Sequence, residues 1–272
     1  MGFSQTSERA FASEFITLGV HPYLSESELS KKFSPLANYL SHQIGIKVQV
    51  RVGGSYQEHI QFIGTDKIDI AYMGPASYIN LTKQFGDKPI LVRLEVNGFP
   101  YFQGNIITRA DSGINSIKDL KGKRIAFGDP NSTMSYIVPH HMLHQENVFL
   151  DSRKSHSFLH SHNNVALSVL AGDFDAGAVK PAVFKKFEKR GLRTIALTPK
   201  ISEHLFVTRA NFPEAKIRAF RKAMLTMKDS AEGIKALVSI KKSITGLVKA
   251  NSKDYENLRN IINDTKELHK IQ

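Results

Sequence analysis

The sequence predicts an α/β protein of two lobes, each a central sheet flanked by helices, joined by a two-strand hinge. Three observations carry this expectation. Short apolar runs alternate with amphipathic stretches, the pattern of repeated βα units. The runs fall into two sets, the second starting near Asp111. Two extended segments, near Tyr101–Arg109 and Leu205–Arg209, link the sets, and two such crossings make a hinge. Residues 1–108 with 205–272 would form lobe one, and 109–204 would be inserted as lobe two. A ligand cleft is expected between them.

Phe15–Val20 reads as the first strand. Glu26–Ile44 reads as a helix because Leu29, Phe33, Leu36, Ala37, Leu40 and Ile44 recur at helical spacing. Ser25 is placed to cap it and Gly45 to stop it. Ile46–Val52 alternates as a strand. Ser55–Ile63 is a short helix and Ile68–Tyr72 a buried strand. Gly74-Pro75 breaks the chain and opens a helix over Ala76–Gln84. Ile90–Val96 and Asn105–Arg109 are strands. In the second set Ser116–Leu120 is a helical turn and Arg124–Phe127 a strand. The polar loop Gly128–Thr133 then leads into a helix through His144. His156–His160 reads as a strand, Asn163–Ala171 as a helix closed by Gly172, and Phe174–Val179 as a strand. Pro181–Arg190 is a helix and Thr194–Leu197 a strand. Leu205–Thr208 is the last expected strand. Beyond it the chain reads as almost wholly helical, over Pro213–Asp229, Ala231–Ile240 and Ser252–Leu268.

The 272 residues contain no cysteine, which excludes disulfides, thiolate catalysis and cysteine-bound zinc. No apolar run reaches the roughly twenty residues that span a bilayer. The stretch MGFSQTSERAFASEF has no apolar h-region, so no secretory signal is read there; a trimmed exported protein and a cytoplasmic one would both look like this. The formal net charge is +12. Residues 1–179 hold 16 basic and 16 acidic side chains, whereas 180–272 hold 21 basic and 9 acidic. A basic C-terminal third can mark nucleic acid or an anionic surface. It can equally be a set of solvated lysine-rich helix faces. The absence of interleaved aromatics for base stacking favours the second, and no nucleic-acid partner is expected.

Three segments carry chemistry. In Ala126–Tyr136 a strand runs into a loop of turn residues and then a helix start, which sets Ser132, Thr133 and Ser135 where free N–H groups and the helix dipole favour an anion. The plain alternative is that Ser132 or Thr133 only caps the helix. In Asp69–Tyr78 a buried strand ends at Gly74-Pro75, placing Ser77 and Tyr78 at the strand edge where open α/β sheets bind ligands. Capping by Ser77 and packing by Tyr72 account for it equally. In Ser161–Val179, His162 near a helix start can donate to an anion; a surface histidine is the alternative, since the chain has eleven. Asp175 can simply anchor backbone. His140 and His144 have metal-ligand spacing, but Glu146 points elsewhere on a helix, so packing is expected and no metal or cofactor. There is no HExxH and no GxSxG, so no enzyme is expected.

Taken in order, Gly19–Pro22, the helix start at Tyr56, IDIAYMGPASY, SIKDLKGKRIAFGDPNSTMSYIVP and SHNNVALSVLAGDFDAGAV resemble one family. It is that of the periplasmic phosphonate-, phosphite- and phosphate-binding proteins of ABC importers. The resemblance covers about residues 15–210. It implies the type II two-lobe periplasmic-binding fold, closing on a small phosphorus oxyanion, an extracytoplasmic location, a permease partner and a monomer. By position it assigns ligand contacts to Ser132, Thr133, Ser135, Tyr56 and His162, with Tyr78 a weaker candidate. The third position of the hydroxyl motif is Met134 here, so which later hydroxyl reaches the ligand is open. Members that bind aminoethylphosphonate hold its ammonium with two acidic residues. Their positions fall here on Ala182, in Val179-Lys180-Pro181-Ala182, and on His204 beside Glu203. Lys180 and His204 would favour anions, so aminoethylphosphonate is not the expected ligand; losing such a carboxylate costs about 2–5 kcal/mol. An extracytoplasmic sensor domain excised from a signalling receptor is the rival reading, and an enzyme of pyrimidine- or thiamine-precursor synthesis on this fold a third.

Overall fold

The structure is a computed structural model that describes residues 15–150 and 155–268. The expectations for residues 1–14 and 269–272 lie outside the described residues.

The first sheet has six strands. They are β1 (Phe15–Val20), β2 (Lys47–Val52), β3 (Ile70–Met73), β4 (Ile90–Val96), β12 (Leu205–Thr208) and β13 (Ile244–Val248), in the order β13-β4-β12-β3-β1-β2. β1 runs parallel to both β2 and β3, while β12 is antiparallel to β3 and β4, and β13 is antiparallel to β4. The second sheet has β6 (Asn105–Arg109), β7 (Ile125–Phe127), β8 (His156–Phe158), β9 (Ala176–Val179) and β10 (Leu192–Leu197), in the order β10-β6-β9-β7-β8. Here β7 is parallel to both β8 and β9. A two-residue ribbon, β5 (Tyr101–Phe102) against β11 (Ile201–Ser202), joins the lobes.

This corrects three expectations. β6 belongs to the second sheet, so the change of sheet falls near Gly104 and not between 108 and 109. The return crossing is at β11, because Leu205–Thr208 already lies inside the first sheet. Leu205–Thr208 is not the last strand, since β13 completes the first sheet at its edge. Its five residues, ITGLV, are too short and too interrupted by Gly246 to show a period of two.

Local signals account for the first helix. α1 (Glu26–Ile44) starts with a capping box between Ser25 and Glu28 and ends at Gly45, whose φ of 72° is the left-handed stop. Its apolar stripe packs on the first sheet beside the helices Glu214–Leu225 and Ala231–Ile240. The other face of that sheet is covered by α2 (Tyr56–Gly64), α3 (Pro75–Phe85) and the helix Glu256–Leu268. The helix Glu256–Leu268 also packs against α4 (Val138–Gln145) of lobe two. Met134 and Val138 join the same apolar cluster, so the lobes share a core at this side of the cleft.

Candidate anion-binding site

In a parallel sheet, ligands gather outside the carboxyl ends of the strands, at the point where successive crossovers turn in opposite directions. In the first sheet that point is the end of β1, flanked by β2 and β3, and His21 is the next residue. In the second sheet it is the end of β7, flanked by β8 and β9, and Gly128–Ser135 follows. The two switch points border one interlobe cleft of about 1030 Å³.

The lobe-two wall is the start of a long helix. Thr133–Ile137 is a π turn that continues into α4. Pro139 has no N–H to give, and Ile137 N–H bonds the Ser132 carbonyl at 3.0 Å, one residue beyond the α spacing. Ser132 is the N-cap, its Oγ accepting from Ser135 N at 3.2 Å. Thr133 Oγ1 accepts from Ala76 N, at the start of α3 in lobe one, at 3.1 Å. Capping therefore holds, and the cleft position holds with it. Each hydroxyl keeps its own proton to donate, and the N–H groups of Thr133 and Met134 make no hydrogen bond among the described residues.

His162 opens the helix His162–Ala171. Its Nδ1 accepts from Lys180 N at 3.2 Å, so the ring proton sits on Nε2 and is available to a ligand. Burial, reinforced by Lys180 and His204, pushes its pKa down to about 3. Tyr56, the first residue of α2, lines the cleft, and burial with the charge of Asp129 raises its phenol pKa, so it remains a donor. Lys180, directly after β9, has its pKa pushed down to about 8 by burial and by Lys241 and Lys32. His204 stacks on Tyr72 with ring centres 5.5 Å apart, and its Nδ1 lies 3.0 Å from Glu203 Oε2. Burial of Glu203 opposes its ionisation, but the hydrogen bonds from His204 and the charge of Lys241 hold its carboxyl below the usual range.

Two expected contacts are elsewhere. Tyr78 is buried against Tyr255, with ring centres 5.1 Å apart, and does not line the cleft. One residue is about 100° of a helix turn, so Ser77 faces the cleft and Tyr78 faces the core. Ser135 is wholly buried. Its Oγ accepts from Gly128 N at 2.7 Å and donates to the Ala178 carbonyl at 2.6 Å, stitching the end of β7 to β9. A Cβ at Gly128 would meet that Oγ at 2.8 Å, which is why the loop turns on a glycine there. His140 stacks on Tyr136, and no group of three or more ligating side chains that could hold a metal is found among the described residues.

His21, Tyr23, Lys32 and Lys241 also line the cleft; of these only His21 falls within a family-like segment, Gly19–Pro22, and none had a role assigned to it from the sequence. His21 is 2% exposed, and neither ring nitrogen has a partner among the described residues. Tyr23, Tyr56, Tyr72 and His204 all have ring centres 5.0–5.5 Å from it. The other available signal was its place directly after an apolar strand.

A molecule of two sheets with a hinge ribbon and anion donors at both switch points has the type II periplasmic-binding-protein architecture. Residues 18–255 match the family of ABC transporter, phosphonate, periplasmic substrate-binding proteins, and the chain belongs to that family. The chain is 30% identical over 174 residues to the phosphate-import protein PhnD of Mycolicibacterium smegmatis, a match over 60% of this chain and 54% of that protein. The match thus spans about half the length of that relative. A probable ABC transporter phosphite-binding protein, PhnD1 of Prochlorococcus marinus, is 23% identical over 99% of this chain and 95% of its own. The solved structure of P. marinus PhnD1 with methylphosphonate superposes with a TM-score of 0.81 at 22% identity, covering 93% of this chain and 98% of that one. Members of this family bind substrates for transport and are not enzymes. No helix among the described residues is long and apolar enough to cross a membrane.

Proposed function

We propose that the chain captures a small phosphorus oxyanion (phosphate, phosphite or a phosphonate) outside the cytoplasmic membrane and delivers it to the permease of an ABC importer. The observation that supports this best is the helix start at Ser132–Met134. It offers two hydroxyl protons and two N–H groups to one point of the cleft, and Thr133 already bridges to the other lobe. Tyr56 and the Nε2–H of His162 complete a set of neutral donors. Such donors are oriented before the ligand arrives, so little reorganisation opposes binding. Discrimination follows because a wrong ligand leaves buried donors unpaired. The names of the relatives point to the same ligand class.

Aminoethylphosphonate is not the preferred ligand. Ala182 lines the cleft where an ammonium partner would be needed, and Glu203 is engaged by His204 and Lys241. Isothermal titration with phosphate, phosphite, methylphosphonate, aminoethylphosphonate and sulfate tests both statements. Tight binding of aminoethylphosphonate with none for phosphate or phosphite would overturn the second. Replacing Ser132→Ala together with Thr133→Ala is expected to abolish binding of the anion that the wild type takes up. Since Ser132 is a true cap, the apo form of this variant is expected to lose about 1 kcal/mol of stability. Retained binding in the double variant removes the helix start from the site.

A further inference from the structure

The helix start accounts for one end of a ligand. Another part of the cleft carries a different chemistry. Five lysines line it, and three of them act on one another from separate elements: Lys32 from α1, Lys180 from the end of β9 and Lys241 just after the helix Ala231–Ile240. Lys180 feels the charges of both others. The lining also holds two carboxylates, Glu188 and Glu203, and Glu203 is the one whose charge acts on Lys180. It is taken up by His204, whose N and Nδ1 are each 3.0 Å from Oε2, and it meets Lys241 only at 3.8 Å.

Lys180 and Lys32 have no ion-pair partner among the described residues. Lys180 Nζ stands 5.1 Å from the centre of the Tyr23 ring, and Lys32 Nζ reaches the Ile240 carbonyl at 3.4 Å. Like charges gathered in a half-dry cleft repel, and the arrangement is relieved when an anion enters among them. A tetrahedral group at Ser132–Met134 is held there by neutral donors and does not need these cations.

We propose that the ligand carries a second anionic group, a carboxylate or a second phosphoryl, a few bonds from the first, and that Lys32, Lys180 and Lys241 form its subsite. This rests on the reading that the helix start holds the phosphorus oxyanion. The ligand class becomes a two-ended anion, such as a phosphonocarboxylate or a diphosphate.

Titration calorimetry at pH 7 with methylphosphonate, phosphonoacetate and pyrophosphate tests it. Phosphonoacetate, pyrophosphate or both are expected to bind about tenfold or more tightly than methylphosphonate, and the better of the two identifies the second group. In Lys32→Met with Lys241→Met the advantage is expected to vanish, the affinities for phosphonoacetate and pyrophosphate falling to that for methylphosphonate. Because Lys241 also touches Glu203, Lys32→Met alone serves as the milder variant and is expected to lose part of it. Equal wild-type affinities for all three, or an advantage that survives in both variants, overturns the second subsite alone. Failure of all three to bind the wild type overturns the helix-start reading as well.

Discussion

His21 shows what an unpartnered side chain in a cleft costs a protein. A buried imidazole with two unpartnered nitrogens forfeits the hydrogen bonds that water gave it in the unfolded chain. Burial, then His204, His59 and Lys180, push its pKa well below the usual value, so it stays neutral. His21→Phe keeps the aromatic contacts and removes the orphan atoms. Its apo form is expected to be as stable as the wild type or about 1 kcal/mol more so, read from urea denaturation at pH 7. A clear loss of stability would show that His21 is a packing residue with an unseen partner. Residue identity alone did not reveal this position. Ser132, Thr133 and His162 were legible as cleft candidates because turn residues marked the helix starts that carry them, whereas Tyr56 came from the family resemblance alone. His21 and Lys241 carry no such mark, since what matters is the space they face.

At the scale of elements, the lobe-two wall depends on Ser135 more than on any ligand. Its hydroxyl ties Gly128 N to the Ala178 carbonyl through two short bonds, joining β7, the π turn and β9. Ser135→Ala leaves a buried donor and a buried acceptor without partners. A loss of about 2–4 kcal/mol is expected, measured as a lower urea midpoint with an unchanged slope. Loss of binding without loss of stability would instead restore Ser135 as a ligand contact. The motif placed this serine correctly at the helix start. It could not say that the third turn position points inward, because a π turn rotates each following side chain relative to an α-helix. β13 was missed for a related reason: its strand character comes from pairing with β4 at a sheet edge, not from its own five residues.

At the scale of the whole molecule, the buried cations and imidazoles set the pH response. His59 and His162 have folded pKa values pushed down to about 4 and about 3, mainly by burial, and His21 is lowered with them. The unfolded chain binds these protons first, so stability falls as pH drops from about 6.5 towards 4. The slope approaches about 1.4 kcal/mol per pH unit for each histidine. Lys180 acts on the alkaline side. Its folded pKa of about 8 lies below the unfolded value, so the unfolded chain holds the extra proton between them and apo stability rises with pH from about 8 to 10.5. Affinity for a two-ended anion such as phosphonoacetate is expected to fall over the same range as Lys180 loses its charge. Melting curves and titrations at pH 5, 7 and 9 check both limbs. A flat apo profile below pH 6.5 would mean that these histidines are not dry.

Most of the order of strands and helices (β5, β11 and β13 apart), the caps of α1 and the anion-favouring helix start were determined by the sequence itself. Each rests on local physics: apolar period, turn chemistry and the unpaired amides of a first turn. Which residues share the cleft was decided only in three dimensions. His21, Lys32, Lys180 and Lys241 are far apart along the chain, and they meet because two sheets set their strand ends toward one gap. Tyr78 and Ser135 left the site for the same reason, since rotation about a helix axis within a packed core decides whether a side chain faces ligand or protein.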